Sequence, residues 1–250
     1  MDKLKTQLDK LMESLKANIT TSTYTTDEKY DCQICRDVEW LVVDDLAHPC
    51  QCRQAKTLQR MLKSSGLTDE LRAKSFSNYK AANTSQEQAF KVCYEYVKDF
   101  ASIKQDSSNG VGLTGPVGTG KTHLLAAISN SLFAGGIGVC FVCTPDLIAE
   151  LREAQFEPND ALERKLTLAC TAEVVVFDDL GKEKSSEWVQ TQYYRVINHR
   201  YLHRLPTLFT TNHTMDELSG KVGDAAASRL YSMTKGRLVF VQGEDFRLKG

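Results

Sequence analysis

Gly115-Pro-Val-Gly-Thr-Gly-Lys-Thr122 fills every fixed place of the phosphate-binding pattern G-x-x-x-x-G-K-[ST]. Glycines at 115, 118 and 120 carry no Cβ, so the backbone can curl with N–H groups turned toward phosphate oxygens. Lys121 offers a cation for the β- and γ-phosphates, and the Thr122 hydroxyl is placed to ligate Mg²⁺. Pro116, Val117 and Thr119 complete the loop, and His123 opens a helix whose N-terminal dipole adds positive potential. The context agrees. Val111–Thr114 reads as a short apolar strand before the loop, and Leu124, Leu125 and Ile128 recur at helical spacing after it. The octapeptide predicts nucleotide binding on an α/β scaffold.

Composition narrows the setting. The chain has 250 residues, 42% hydrophobic and 25% charged, enough for one sizeable domain and a smaller appendage. No apolar run approaches the roughly 18 residues of a membrane span, and MDKLKTQLDKLMESL has no apolar signal core, so a cytoplasmic location is expected. A net charge of −1 argues against bulk attraction to nucleic acid. Eight cysteines in such a chain point to free thiols or metal ligation rather than disulfides.

Four segments are expected: an amphipathic helix and linker (1–30), a zinc-binding region (31–57), a connector (58–85) and the nucleotide-binding domain (86–250). Leu4, Leu8, Leu11, Met12, Leu15 and Ile19 make residues 2–19 amphipathic, suited to the chain's own core or to a partner. Cys32-x-x-Cys35 and Cys50-x-Cys52 hold half of the cysteines; a C-x-x-C turn presents two thiolates together, as structural Zn²⁺ requires. The fourth ligand is Cys52 or His48. Cys140 and Cys143, three apart on a strand, point to opposite faces and are read, with Cys93 and Cys170, as core cysteines. Strands are expected at 111–114, 138–143, 174–177, 207–210 and 238–241, with helices at 86–103 and 187–203. Near-continuous apolar strands between helices imply a parallel sheet covered on both sides.

Val174–Asp179, an apolar strand ending in two acids, supplies the second half of an ATPase site. Asp178 would hold Mg²⁺ and Asp179 would orient or deprotonate water. Aspartate is one methylene shorter than glutamate, so slow hydrolysis is expected. Asn212, at the tip of the next strand, can hold the lytic water or the γ-phosphate; Arg229 can reach a neighbouring subunit's γ-phosphate as an arginine finger.

GPVGTGKTHLLAAI, VVVFDDLG, VINHRYLHRLPTLFTTN, ASRLYSM and GEDFR, in that order, resemble the AAA+ ATPases of the bacterial helicase-loader group, the DnaC- and DnaI-like proteins, with IstB-like transposition ATPases as close cousins. CQICRD…HPCQC resembles the loaders' zinc-binding region. The resemblance implies a P-loop AAA+ core with a five-stranded sheet, Asp178 and Asp179 in the Walker B position, Asn212 as sensor 1 and Arg229 as the trans finger. It implies ATP-gated self-association, assembly on a hexameric replicative helicase in DNA replication, and single-stranded DNA as a further ligand. Arg152, Arg164 and Lys165 lie where initiator relatives carry DNA-facing helices, and Lys182 and Lys184 follow Walker B. Only residues 242–250 follow the last strand, so no C-terminal helical lid is expected, and a second sensor arginine would have to be Arg247. The rival readings are an IstB-like transposition ATPase, against which the cysteine cluster tells, and an ATP-gated adaptor with little hydrolysis.

Overall fold

Parallel strands flank a phosphate loop in the computed structural model, which describes residues 30–43, 46–53, 56, 65–156 and 161–246. The expected helix at 2–19 and Arg247 lie outside these residues. The chain divides into two compact units, Met1–Ser64 and Ser65–Gly250. The break falls inside the stretch expected as a connector (58–85), because from Ser65 onward the backbone packs on the larger unit. Phe141 N–H donates to the Ser65 carbonyl, and the Asn130 amide donates to the carbonyls of Leu71, Arg72 and Lys74.

In the first unit, β1 (Trp40–Val43) and β2 (Leu46–Pro49) form an antiparallel hairpin in which Leu41 faces His48. The larger unit runs α1 (Asp69–Arg72), α2 (Thr84–Ile103), β3 (Val111–Thr114), α3 (Lys121–Ala134), β4 (Val139–Cys143), α4 (Thr144–Ala154), α5 (Ala161–Thr171), β5 (Val174–Asp178), α6 (Glu187–Leu202), β6 (Thr207–Thr211), α7 (Met215–Val222), α8 (Asp224–Met233) and β7 (Leu238–Phe240). Its five strands are all parallel, in the order β4-β5-β6-β3-β7. Strand ends fall within a residue of those expected from the sequence.

Side chains alternate across the strands, so Val175, Phe177 and Phe209 meet one apolar cluster, with Ile148 and Leu151 of α4, Leu166 of α5, Val196 and Ile197 of α6, Leu218 of α7 and Leu230 of α8. Helix α3 packs on β4, β5 and β6, and α2 packs on α3. The strand order decides where chemistry can occur. After β3 the chain crosses to β4, then returns through β5 and β6, so that β6 lies between β3 and β5. The phosphate loop, the β5 acids and the β6 tip thus share one carboxyl-end crevice at the switch point of the sheet.

Cys93 and Cys140 are buried and Cys170 is half-buried, as core positions should be. Cys143 is not. It ends β4, where the strand leaves the sheet, and its side chain is exposed.

Arg200 is the largest fully buried side chain of the described residues. Nε donates to Thr207 Oγ1 (2.9 Å), Nη2 to the Pro206 carbonyl (2.7 Å), and Nη1 to the carbonyls of Ala169, Cys170 and Ala172 (3.0, 3.1 and 2.9 Å). These carbonyls end α5, where the helix leaves its last acceptors unfilled and carries negative partial charge. Burial lowers the guanidinium to about 10, so it stays charged at neutral pH. Arg200→Met would strand those acceptors and cost about 3 kcal/mol or more in urea unfolding of the full chain, with Arg200→Lys recovering only part, since an ammonium has three donors.

Candidate functional site

The loop after β3 is shaped by residues that only glycine tolerates. Gly118 has φ 72°, and a Cβ there would collide with the Asp245 carboxylate, while Phe246 N–H donates to the Gly118 carbonyl (3.1 Å). Gly120, at φ 91°, starts α3 with no side-chain cap, so the N–H groups of the first turn face the loop. The Thr119 hydroxyl donates to the Pro116 carbonyl (3.0 Å); Pro116 and Val117 are exposed. Lys121 is buried inside its own loop, donating to the carbonyls of Gly115 and Pro116 (2.6 Å each) and to Asn212 Oδ1 (2.9 Å). That last bond spans β3 to β6 and is possible because β6 lies beside β3.

Asp178 is the node on the other side. Its Oδ1 accepts from Thr122 Oγ1 (2.9 Å) and Thr210 Oγ1 (2.7 Å), and its carbonyl accepts from Thr144 Oγ1 (2.7 Å). Thr210 Oγ1 also accepts from Asp179 N–H (2.8 Å). Burial pushes the Asp178 carboxyl above the usual range, the two hydroxyls and Lys121 pull it down, and the nearby Asp179 charge adds to the rise. A half-buried carboxylate aligned with a loop hydroxyl is the donor set that a divalent cation of Mg²⁺ type takes. Sequence reasoning placed Asp178 and Thr122 but missed Thr144 and Thr210; the only signal was a hydroxyl residue at each strand end.

Asp179 has a left-handed backbone (φ 57°), uncommon for a residue with a side chain, which turns the chain sharply after β5. Its Oδ2 takes a 2.7 Å ion pair from Lys182. Glu183 accepts from the Tyr193 hydroxyl (2.6 Å), which binds this loop to α6. His123 turns away from the loop: its Nε2 lies 3.0 Å from the Ser75 carbonyl, which makes that nitrogen the protonated donor, and its ring meets Tyr79 edge-on. Arg229 is not brought to the loop residues; its contacts are with its own helix and with Tyr194 and Tyr201 of α6. Arg152 lies 6.0 Å from the Trp188 ring centroid, and Lys184 is exposed.

In the first unit Cys32, Cys35, Cys50 and Cys52 bring their sulfurs within 4.8 Å of one another. Cys32 and Cys50 are 3.8 Å apart and Cys35 and Cys52 are 3.3 Å apart. Tetrahedral thiolates about 2.3 Å from a Zn²⁺ ion stand about 3.8 Å apart, so the set fits that ion. Glu39 N–H donates to Cys35 Sγ (3.4 Å), and the Asp37 carboxylate accepts from Cys32 N–H (2.9 Å) and pairs with Lys56. His48, the alternative ligand, is exposed on β2 and outside the cluster.

The family described as IstB-like ATP binding protein matches residues 3–250. The chain belongs to that family. It is an AAA+ P-loop ATPase, as the resemblance implied. This IstB-like ATPase is 32% identical over 234 residues to the phage-like element PBSX protein XkdC of Bacillus subtilis, covering 88% of this chain and 85% of that one. It is 31% identical over 168 residues to the replicative helicase loader DnaI of B. subtilis, covering 66% of this chain and 52% of that one. The crystal structure of the DnaC helicase loader superposes with a TM-score of 0.62 at 27% identity, covering 70% of this chain and all of that one (100%). Among the described residues, no helix is long and apolar enough to cross a membrane.

Burial raises Asp178 above its unfolded value, so the folded state holds the proton more tightly and stability falls as pH rises through that interval. Asn at this position keeps an oxygen for Thr122 and Thr210 without the charge. In EDTA and without nucleotide, Asp178→Asn is expected to melt above the wild type at pH 7. The gap should close as pH drops through the ordinary carboxylate range, where the wild-type side chain is protonated in both states.

Proposed function

We propose that this IstB-like ATPase is an ATP-dependent loader of a replicative DNA helicase, hydrolysing ATP at sites shared between subunits. The observation that carries the shared site is the split in its machinery. Lys121, Thr122, Asp178 and Asn212 join in one hydrogen-bonded crevice, while among the described residues Arg229 bonds to its own helix and lies against Tyr194 and Tyr201 of α6. The likeness to DnaI and DnaC supports the helicase as partner.

In this reading Lys121 exchanges the Gly115 and Pro116 carbonyls for β- and γ-phosphate oxygens, with Asn212 holding its other side. Thr122 and Asp178 would hold Mg²⁺, which when bound offsets charge on the phosphoryl oxygens. Asp179 takes the proton from the attacking water once Lys182 releases it, and Asn212 aligns that water. The short, ion-paired Asp179 makes turnover slow. Arg229 of one subunit meets the γ-phosphate bound by the next. Cys32, Cys35, Cys50 and Cys52 hold a structural Zn²⁺ with no open coordination position for catalysis, and the unit they brace docks on the helicase. Single-stranded DNA is a further ligand, with no contact residue assigned. A transposition ATPase is the second reading. The family match supports it, and the cysteine cluster tells against it.

Pull-down of the full chain should capture the replicative helicase with ATP and lose it with Lys121→Ala; ATP-independent or absent capture would sink the loader reading. Lys121→Ala should abolish turnover and Arg229→Ala should cut it to a small residual rate, yet their mixture should regain about a quarter of the wild-type rate, since random head-to-tail assembly pairs an intact loop with an intact arginine at about one interface in four. Metal analysis should return one zinc per chain, and Cys32→Ser/Cys35→Ser should release it.

A further inference from the structure

Arg229 is held in an unusual way. Its guanidinium carbon lies 5.1 Å from the Tyr194 ring centroid and 5.7 Å from that of Tyr201, both within the range of cation–π attraction. Nη1 donates to the Ala225 carbonyl one turn back (2.9 Å), whereas Nε is buried with no hydrogen-bond partner. No carboxylate pairs with Arg229 among the described residues. A buried donor without an acceptor is costly, and a fold that only needed a surface arginine would have let it turn to water. Tyr194 and Tyr201 are two helical turns apart and so share one stripe of α6. Both residues stay exposed, at 41% and 37%, and neither belongs to the buried core.

We propose that Tyr194 and Tyr201 are positioning residues that hold the Arg229 guanidinium ready for the γ-phosphate of an adjacent subunit. The inference rests on the reading of Arg229 as a trans arginine. A long side chain loses rotamer freedom when it is fixed in place. The two rings fix it before any neighbour docks, so that loss is not incurred again when the shared site closes. An acidic partner would fix it equally well but would neutralise it. Ring faces leave the whole positive charge for the phosphate.

The ring faces should therefore matter and the hydroxyls should not. In steady-state ATP turnover of the full chain, at concentrations where the rate per chain has stopped rising, Tyr194→Ala and Tyr201→Ala should each lower kcat about three- to tenfold. KM for ATP should stay within about twofold. Tyr→Phe at either place should keep full turnover, and Tyr→Leu, which retains bulk without a π face, should be as slow as Ala. In an Arg229→Ala background neither tyrosine change should slow the enzyme further. Full turnover by Arg229→Ala itself would remove the trans reading beneath the proposal. A slow Arg229→Ala enzyme beside Ala and Leu variants of wild-type speed would overturn the positioning role alone. Slow Phe variants, or further slowing in the Arg229→Ala background, would also overturn it.

Discussion

One carboxylate oxygen ties the site together. Asp178 Oδ1 accepts hydroxyl bonds from Thr122, at the start of α3, and from Thr210, near the tip of β6. Thr210 reaches it because β6 pairs directly with β5, and Thr122 reaches it from the start of α3 across the β6 tip. The place of β6 beside β3 brings Asn212 to Lys121. Loop, acid and amide are therefore one hydrogen-bonded body, held above the sheet by strand order rather than by loop contacts. Movement of any of the three strands would disturb all of them. Such shared anchoring is what preorganises a site for charge that develops during a reaction.

Much of this was legible in the sequence because its signals are local. The octapeptide at 115–122 fixes its own backbone, and apolar runs of four or five residues announce each strand. Asn212 was readable because it follows Thr207–Thr211 directly. What stayed hidden depends on contacts distant in the chain. Thr144 and Thr210 look like ordinary strand-end hydroxyls until β4, β5 and β6 lie side by side. Arg200 sits in a helix pattern like any polar position, yet it fills five acceptors drawn from α5 and the approach to β6. Residues 65–85 carry no strong period, and the amide of Asn130 is what draws them onto α3. Cys143 was misjudged because alternation gives a side chain's direction but not where the strand leaves its neighbours.

The cysteine cluster shows spacing and geometry in their separate roles. Spacing alone put Cys52 in the set but left His48 open as its substitute. The hairpin of β1 and β2 decides between them, because His48 pairs across from Leu41 within the ladder while Cys50 and Cys52 come after it, where the chain turns back toward Cys32 and Cys35. The left-handed residues Arg36, Asp37 and Glu39 wrap the first pair tightly enough for backbone N–H groups to reach sulfur.

Cys143, a thiol with no part in the chemistry, has a practical consequence. All eight cysteines are described, and it alone is exposed. Its Cα is the ladder partner of Asp178. Partial desolvation of its sulfur and the neighbouring Asp146 push the thiol up to about 11, so its alkylation is slow near neutral pH. A single dye attached there would stand one strand from the acid at the centre of the site. The native protein thus carries a built-in attachment point for an optical reporter of nucleotide turnover, with no cysteine to add or remove.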